Sequence, residues 1–467
     1  MSKNKIYITT AIDYANDVIH IGHAYQKLLA DILARYWRLQ GKKVFFLTGT
    51  DEHGGNISRE AEKRGMNPQD FVDKISSGSR EELDSLGISY DRFIRTTDKD
   101  HIETVNQFWK KVKEKEDIYL KEFSGLYCLG CEAFKTSREI VNGRCPLHPT
   151  KELIRISEKN YFFRWSKYEE FLKELFRKNK EFVKPKSRYQ EMASFLKAGI
   201  EDISVSRQSI SWGIPVPGDS KQTIYVWFDA LINYYTGARK KGFWDKDTYI
   251  IHFLGKDNLR WHALLWPAML YSAGFRIPNL IYVHSFLSFN GKKLSKSTGN
   301  IIRPQELVKL FGQDGVRYFL AKYGPIREDA DISFEKIKSV YNTELANNLG
   351  NLIQRISKLA ASNNFSFPKM EKLSISPKIA NLMEEIKIDA CLFDASKRLD
   401  GLNRYLEKEH PWTKKNKEAR EAIWYCLRHL RQICFDLKPF MPSSMDKALK
   451  YLGEEKLKFN PPLFPRL

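Results

Sequence analysis

Six cysteines in 467 residues are too few for a disulfide framework. No apolar run comes near the ~20 residues that cross a bilayer, so no membrane partner is expected. The opening residues, MSKNKIYITTAID, lack the apolar core and small-residue cleavage site of a signal peptide; a cytoplasmic protein is expected. Acidic side chains are scarce. Asp and Glu number 57 against 77 Lys and Arg, a formal net charge of +20. A polyanion such as nucleic acid is the natural partner for that excess, although a Lys-rich proteome produces it too. No internal repeat or low-complexity stretch is visible. What is present argues for packed cores: 42% of residues are hydrophobic and 13% aromatic, which excludes global disorder. The length favours two or three domains.

Residues 5–12 (KIYITTAI) read as a strand, 24–40 as an amphipathic helix ended by Gly41, and 43–48 (KVFFLT) as a second strand. Strand, helix and strand in this order make a βαβ unit, hence a parallel sheet with a nucleotide-sized crevice at its carboxyl edge. The pattern lapses between about 115 and 210, where short strand-like runs such as Asn160–Trp165 predict an insertion. Strands are expected again at 223–228, 249–254 and 280–287, and a helix at about 259–272. From about 340 the periodicity is helical, apart from a Pro/Ser stretch near 363–377.

Two segments are suited to phosphate. His20-Ile21-Gly22-His23 stands at the first strand-to-helix turn. Free N–H groups and the positive end of the dipole favour an anion there, Gly22 permits close approach, and two imidazoles can donate to phosphate oxygens. Alone, H-x-G-H reads more readily as two surface histidines at a helix start. The second is the glycine-bounded loop GKKLSKSTGN, residues 291–300. Lys293 and Lys296 can neutralise charge on a transferring phosphate, and the glycines allow a flap. In this order on an α/β pattern, the two segments resemble the paired signature of class I aminoacyl-tRNA synthetases, with Leu294 where Met is commonest.

The resemblance narrows over nearly the whole chain. YITTAIDYANDVIHIGHAY, FLTGTDEHG, YVWFDALINYY and GKDNLRWHALLWPAML, with GKKLSKSTGN, are similar to blocks of the methionyl-tRNA synthetases in family order. The resemblance implies ATP-dependent activation of L-methionine and its transfer to tRNA(Met). It implies a methionine pocket of Ile12, Tyr14, Asp51, Trp227, Ala230, Tyr234 and His262, with Asp51 on the substrate ammonium. It implies ATP contacts from His20, Gly22, His23, Gly255, Asp257, Lys293, Ser295 and Lys296, with Mg2+ accompanying ATP. His20, His23, Lys293 and Lys296 would act on the phosphates. Arg207 matches a basic residue kept near the site. Asp13, Leu231 and Asn258 depart from the family pattern, Asn258 beside the expected pocket.

Cys128-x2-Cys131-x13-Cys145-x2-His148 offers four ligands as two knuckles, suited to one structural, tetrahedral Zn2+. In the same family such knuckles sit in the connective insertion. Asn347, Asn351 and Arg355 recur every four residues as a polar ridge, and Pro411-Trp412 precedes Lys414, Lys415 and Lys417. An exposed Trp beside lysines can stack an unpaired base; a buried staple at a helix start is the alternative. The resemblance assigns both to anticodon recognition. The expected architecture is α/β: a Rossmann-like catalytic domain in two halves (1–114 and 221–339), a zinc-containing insertion (115–220) and an all-α anticodon-binding bundle (340–467). A monomer is expected. A zinc-containing RNA-binding protein would explain the charge and the cysteines, but would leave both phosphate segments without a role.

Overall fold

The computed structural model describes residues 4–135, 139–146, 148–294, 301–369 and 371–467. The chain divides into two compact units. One comprises Met1–Ile19, Phe45–Glu81 and Tyr90–His284, the other His20–Val44, Glu82–Ser89 and Ser285–Leu467.

A seven-stranded sheet organises the first unit. Its order is Asp13–Tyr14, Lys43–Asp51, Lys5–Thr10, Thr248–Gly255, Leu280–His284 and Val183–Lys184, with Arg92–Arg95 also paired to Lys43–Asp51. Lys5–Thr10 runs parallel to Thr248–Gly255, and that strand parallel to Leu280–His284. Runs such as IYITT and YIIHFL are apolar on both faces, as sheets covered on both sides require. Lys5–Thr10 has the early strand Lys43–Asp51 on one side and the much later Thr248–Gly255 on the other. Strand order reverses there, which opens a crevice beyond the carboxyl ends of the strands. Ile12, Tyr14, Asp51 and Gly255 stand at those ends.

Within the range expected as an insertion, four strands form an antiparallel sheet, ordered Ala133–Lys135, Ile118–Cys128, Leu153–Phe163 and Ile203–Ser204, while Val183–Lys184 joins the parallel sheet. Two of these strands are 11 residues long and pair from Ile118↔Phe163 to Cys128↔Leu153. They read as short runs because charges interrupt the alternation. Opposed pairs such as Glu122↔Lys159 suit a ribbon that faces solvent. The strand expected at 223–228 is corrected. Residues Asp219–Ile224 form an antiparallel strand, and Val226–Leu231 turn into a helix. A short apolar run does not distinguish a strand from a buried helical turn.

In the second unit the helix Ile21–Leu39 starts three residues earlier than expected. The helical C-terminal region is present as Tyr341–Gly350, Asn351–Ser362, Pro377–Glu384, Ile388–Glu409, Asn416–Asp436 and Pro442–Tyr451. Tyr341–Gly350 is wound as a π-helix, with i→i+5 bonds. Asn347 lies in that segment, while Asn351 and Arg355 lie in the α-helix after it, so the expected four-residue ridge is not one regular helix face. Among the described residues, no helix is long and apolar enough to cross a membrane.

A buried ion pair ties this unit together. Arg317 is wholly buried; its Nη2 lies 2.7 Å from Asp31 Oδ2. It also donates to the carbonyls of Phe440, Leu86 and Pro439. Asp31 accepts from Arg35 Nε and from the N–H and hydroxyl of Ser89. Burial would raise the Asp31 carboxyl, but Arg317 and Arg35 outweigh it and hold it below its ordinary value. Removing one partner leaves the other charged and unpaired. Arg317→Met should therefore lower stability by about 3–5 kcal/mol, and the double variant Asp31→Leu/Arg317→Met by less than the two single losses together. Urea unfolding measures both; additive losses would contradict the pairing.

Candidate active site

At the carboxyl end of the first unit's sheet, Asp13–Tyr14 runs parallel to the end of Lys43–Asp51, with Tyr14 opposite Asp51. The two candidate pocket residues are thus neighbours by register. Asp51 is buried, and its Oδ1 has no hydrogen-bond partner within the protein. Burial, with the negative charges of Asp229 and Glu132, holds its carboxyl well above the usual range. A cationic ligand bearing N–H donors would relieve both conditions at once.

The apolar wall follows from the 226–266 region. Trp227 stacks on Trp261 with ring centres 4.9 Å apart, and meets His262 edge-on. His262 lies in a π-helical turn, Trp261–Leu265, of the kind often found at functional sites. The turn takes the place of the first part of the helix expected at 259–272; Trp266–Ser272 is α-helical as expected. His262 Nδ1 is 2.8 Å from the Asn258 carbonyl, so Nδ1 donates and Nε2 is left as the acceptor for the Tyr234 hydroxyl at 2.7 Å. Burial pushes the His262 imidazole down to about 4, so it is neutral at physiological pH. Asn258, one of the three departures from the family pattern, contributes this bond through its backbone, which any residue supplies. Ile12 packs against the apolar cluster that contains Tyr234. Tyr14 and Trp227 pack against one cluster with Ala133, Tyr225 and Val226, and Ala230 is buried on the helix that carries Trp227.

Several residues at this edge were not singled out from the sequence. Asp229, fully buried, is held by His53 Nδ1 at 2.6 Å and His101 Nε2 at 2.7 Å. Burial would raise its carboxyl, but the two imidazoles hold it below its ordinary value. Glu52 is buried and pairs with Arg95 at 2.6 Å, beside the Thr50 and Ser76 hydroxyls. His252 bonds Thr9 and Trp266 and stacks near Tyr234. The signal available was the density of Asp, Glu and His in TDEHG and WFDAL; the partners are distant in sequence.

In the second unit, His20 caps the helix Ile21–Leu39. Its Nδ1 accepts from Gly22 N, while His23 Nδ1 accepts from His20 N. The imidazole centres are 3.8 Å apart. A Cβ at Gly22 would meet His20 Cε1 at 2.9 Å and Leu294 Cδ1 at 3.3 Å, so glycine is needed for this packing as well as for ligand approach. Ile21 N donates to the Ile302 carbonyl. The two phosphate segments therefore meet: the residues flanking 295–300 on both sides touch the His20–His23 turn. Ser295, Lys296 and the Lys293 side chain lie outside the described residues.

Trp412 is 45% exposed, which excludes a buried staple. The Arg355 guanidinium lies 5.7 Å from the Trp412 ring centre and bonds Glu407. Asn347 and Asn351 are exposed.

The four metal candidates in the first unit converge, their ligand atoms all within 4.8 Å of one another. Cys131 Sγ lies 3.5 Å from Cys145 Sγ and 3.3 Å from His148 Nδ1, and Cys128 Sγ lies 3.7 Å from that nitrogen. Ligand bonds of about 2.0–2.3 Å place the donors of a tetrahedral zinc roughly 3.3–3.8 Å apart. Burial, then the neighbouring sulfurs, push the Cys131 thiol up to about 12; a bound cation reverses that preference. The quartet fits one zinc ion.

A family model described as tRNA synthetases class I (M) matches residues 6–153 and 148–357. The chain is 38% identical to a methionine–tRNA ligase of Caldanaerobacter subterraneus over 97% of this chain and 74% of the relative. It is also 38% identical to one of Thermosynechococcus vestitus over 98% and 92%. Mycobacterium tuberculosis methionyl-tRNA synthetase in complex with methionyl-adenylate superimposes with a TM-score of 0.93 at 33% identity, covering 99% of this chain and 100% of that one. The apo form of that protein gives 0.84 at 31% identity.

Elemental analysis of the purified protein should find about one equivalent of zinc per chain, as one closed four-ligand site requires. Cys145→Ser should lose most of it. Two equivalents, or full retention in the variant, would contradict the assignment.

Proposed function

The chain belongs to the class I tRNA synthetases as a methionine–tRNA ligase, which activates L-methionine with ATP and charges tRNA, and we propose that the residues gathered above carry out that reaction. The observation that carries the reading is Asp51. A buried carboxylate with one oxygen lacking a donor is suited to the ammonium of an amino acid, next to aromatic walls that suit a thioether. Ile12, Tyr14, Trp227, Ala230, Tyr234 and His262 line the methionine side chain. With its Nε2 occupied by Tyr234, His262 offers no free donor to the ligand, which favours an apolar side chain over a polar isostere.

The methionine carboxylate is already ionised, so adenylation needs no general base. It needs alignment on the α-phosphate and stabilisation of charge on pyrophosphate. His20 and His23 supply ring N–H groups at a helix N-terminus, with Gly22 giving access. Lys293 and Lys296, with Ser295, hold the departing phosphates alongside the Mg2+ of ATP. Gly255 and Asp257 contact the adenosine. A ribose hydroxyl at the 3′ end of tRNA(Met) then attacks the adenylate carbonyl, forming the ester as the anhydride C–O bond breaks; AMP leaves and the hydroxyl proton is lost to its phosphate or to water. Asn347, Asn351, Arg355 and Trp412 read the anticodon; the cation beside the exposed indole supports this. Residues 1–114 and 221–339 form the catalytic domain, 115–220 the insertion and 340–467 the anticodon-binding domain. The single zinc is structural, since four protein ligands leave it no open position. Reduced cysteines throughout fit a cytoplasmic enzyme.

Two variants should fail in opposite ways. Lys296→Ala should lower methionine-dependent ATP–pyrophosphate exchange by about 10²–10³-fold while methionine binding persists, as for one preorganised charge contact. Trp412→Ala should spare that exchange and lower tRNA charging roughly ten- to a hundredfold, the range for one lost stacking contact. Normal exchange in Lys296→Ala removes that lysine from the mechanism. Equal loss of both activities in Trp412→Ala removes the anticodon role.

A further inference from the structure

We propose that Glu132 is a positioning residue that carries the geometry of the metal-binding turn to the Tyr14 phenol, and so sets methionine affinity. This rests on the placement of Tyr14 in the methionine pocket. Glu132 directly follows the ligand Cys131, is 3% exposed, and adopts φ 49°, a left-handed conformation that a side chain disfavours. The local chain therefore does not choose this placement unaided; the carboxylate's partners hold it. Oε2 accepts from the Tyr14 hydroxyl at 2.7 Å and Oε1 from the Asn56 N–H at 2.5 Å. Asn56 Nδ2 in turn donates to the carbonyl of Leu129, inside the Cys128–Cys131 turn, at 2.9 Å. The metal turn is thus fastened at two points to Asn56, at the start of the helix Gly55–Lys63, and at one to Tyr14, which stands opposite Asp51 in the sheet.

Gly54 shows how tight the junction is. Its φ is 118°, and a Cβ there would lie 2.5 Å from both Glu132 Oε2 and the Tyr14 oxygen. The acceptor must be a carboxylate. It serves two donors from different segments, and a carboxamide would turn an N–H toward one of them. Below it, Arg207 Nε and the Tyr225 hydroxyl line the same small cavity with no protein partner; Arg207 sits among the rings of Tyr127, Phe134 and Tyr225. When the cation leaves, the sulfurs no longer fix the turn, Glu132 shifts, and the phenol loses its acceptor.

Methionine and ATP affinities, measured calorimetrically on the full chain, together with zinc content, test this in four variants. Glu132→Gln and Tyr14→Phe should each weaken methionine binding by about tenfold, the scale of one hydrogen bond to a charged group. Zinc content and ATP affinity should stay at wild-type values. The double variant should be no worse than either single one, because both remove the same bond. Chelating the metal should weaken methionine binding in the wild type but not further in Tyr14→Phe; this arm decides the matter if Glu132→Gln does not fold. Tyr14→Ala tests the underlying placement: unchanged methionine affinity there removes Tyr14 from the pocket. Weakened binding in Tyr14→Ala with none in Glu132→Gln overturns the role of Glu132 alone. Additive losses in the double variant, or equal losses on chelation in wild type and Tyr14→Phe, overturn it as well.

Discussion

Carboxylates buried together at the end of a parallel sheet must each find a cation or a set of donors, and the rest of the site follows from how each does so. Asp229 is answered by His53 and His101, Glu52 by Arg95 and nearby hydroxyls, and Glu132 by Tyr14 and the Asn56 N–H. Asp51 alone among these four keeps an oxygen with no protein donor. That open oxygen is the feature on which the proposed binding of an amino-acid ammonium rests. Neutral imidazoles and aromatic rings around Tyr234 and Trp227 keep the adjoining wall apolar. A cation hole beside an aromatic wall describes an amino acid with a long apolar side chain.

The fold supplies the place for this arrangement, and it was largely readable. Apolar runs at 5–12, 249–254 and 280–287 form sheet strands, although the last stops at His284. The order reversal beside Lys5–Thr10 puts Tyr14, Asp51 and Gly255 at one edge. The misreading at 223–228 is instructive. TIYVWF has the composition of a strand, but Val226–Leu231 is a helix, and that helical turn buries Asp229 while leaving Trp227 to stack on Trp261. Periodicity reports burial, and a short element buried all round has no periodicity to report.

The metal quartet was legible because its ligands come as two close pairs. The residues that complete the pocket were not, because their partners are remote. His101 meets Asp229 across 128 positions, and Tyr14 meets Glu132 across 118. The same holds for Arg317 and Asp31 in the second unit. A buried polar network is specified by three-dimensional satisfaction of donors and acceptors, of which a linear sequence carries no local trace. The motif residues were visible because a helix start or a glycine-bounded loop makes its demand within a few positions.

Asp51 is proposed to receive the ammonium of methionine. The direct measurement is ATP–pyrophosphate exchange across the twenty amino acids, for the wild type and for Asp51→Asn. Methionine should drive exchange well above every other amino acid, and Asp51→Asn should raise the methionine KM by about tenfold or more, as expected when a buried charge-assisted contact is lost. Exchange driven best by another amino acid, or a methionine KM that Asp51→Asn leaves unchanged, would contradict it.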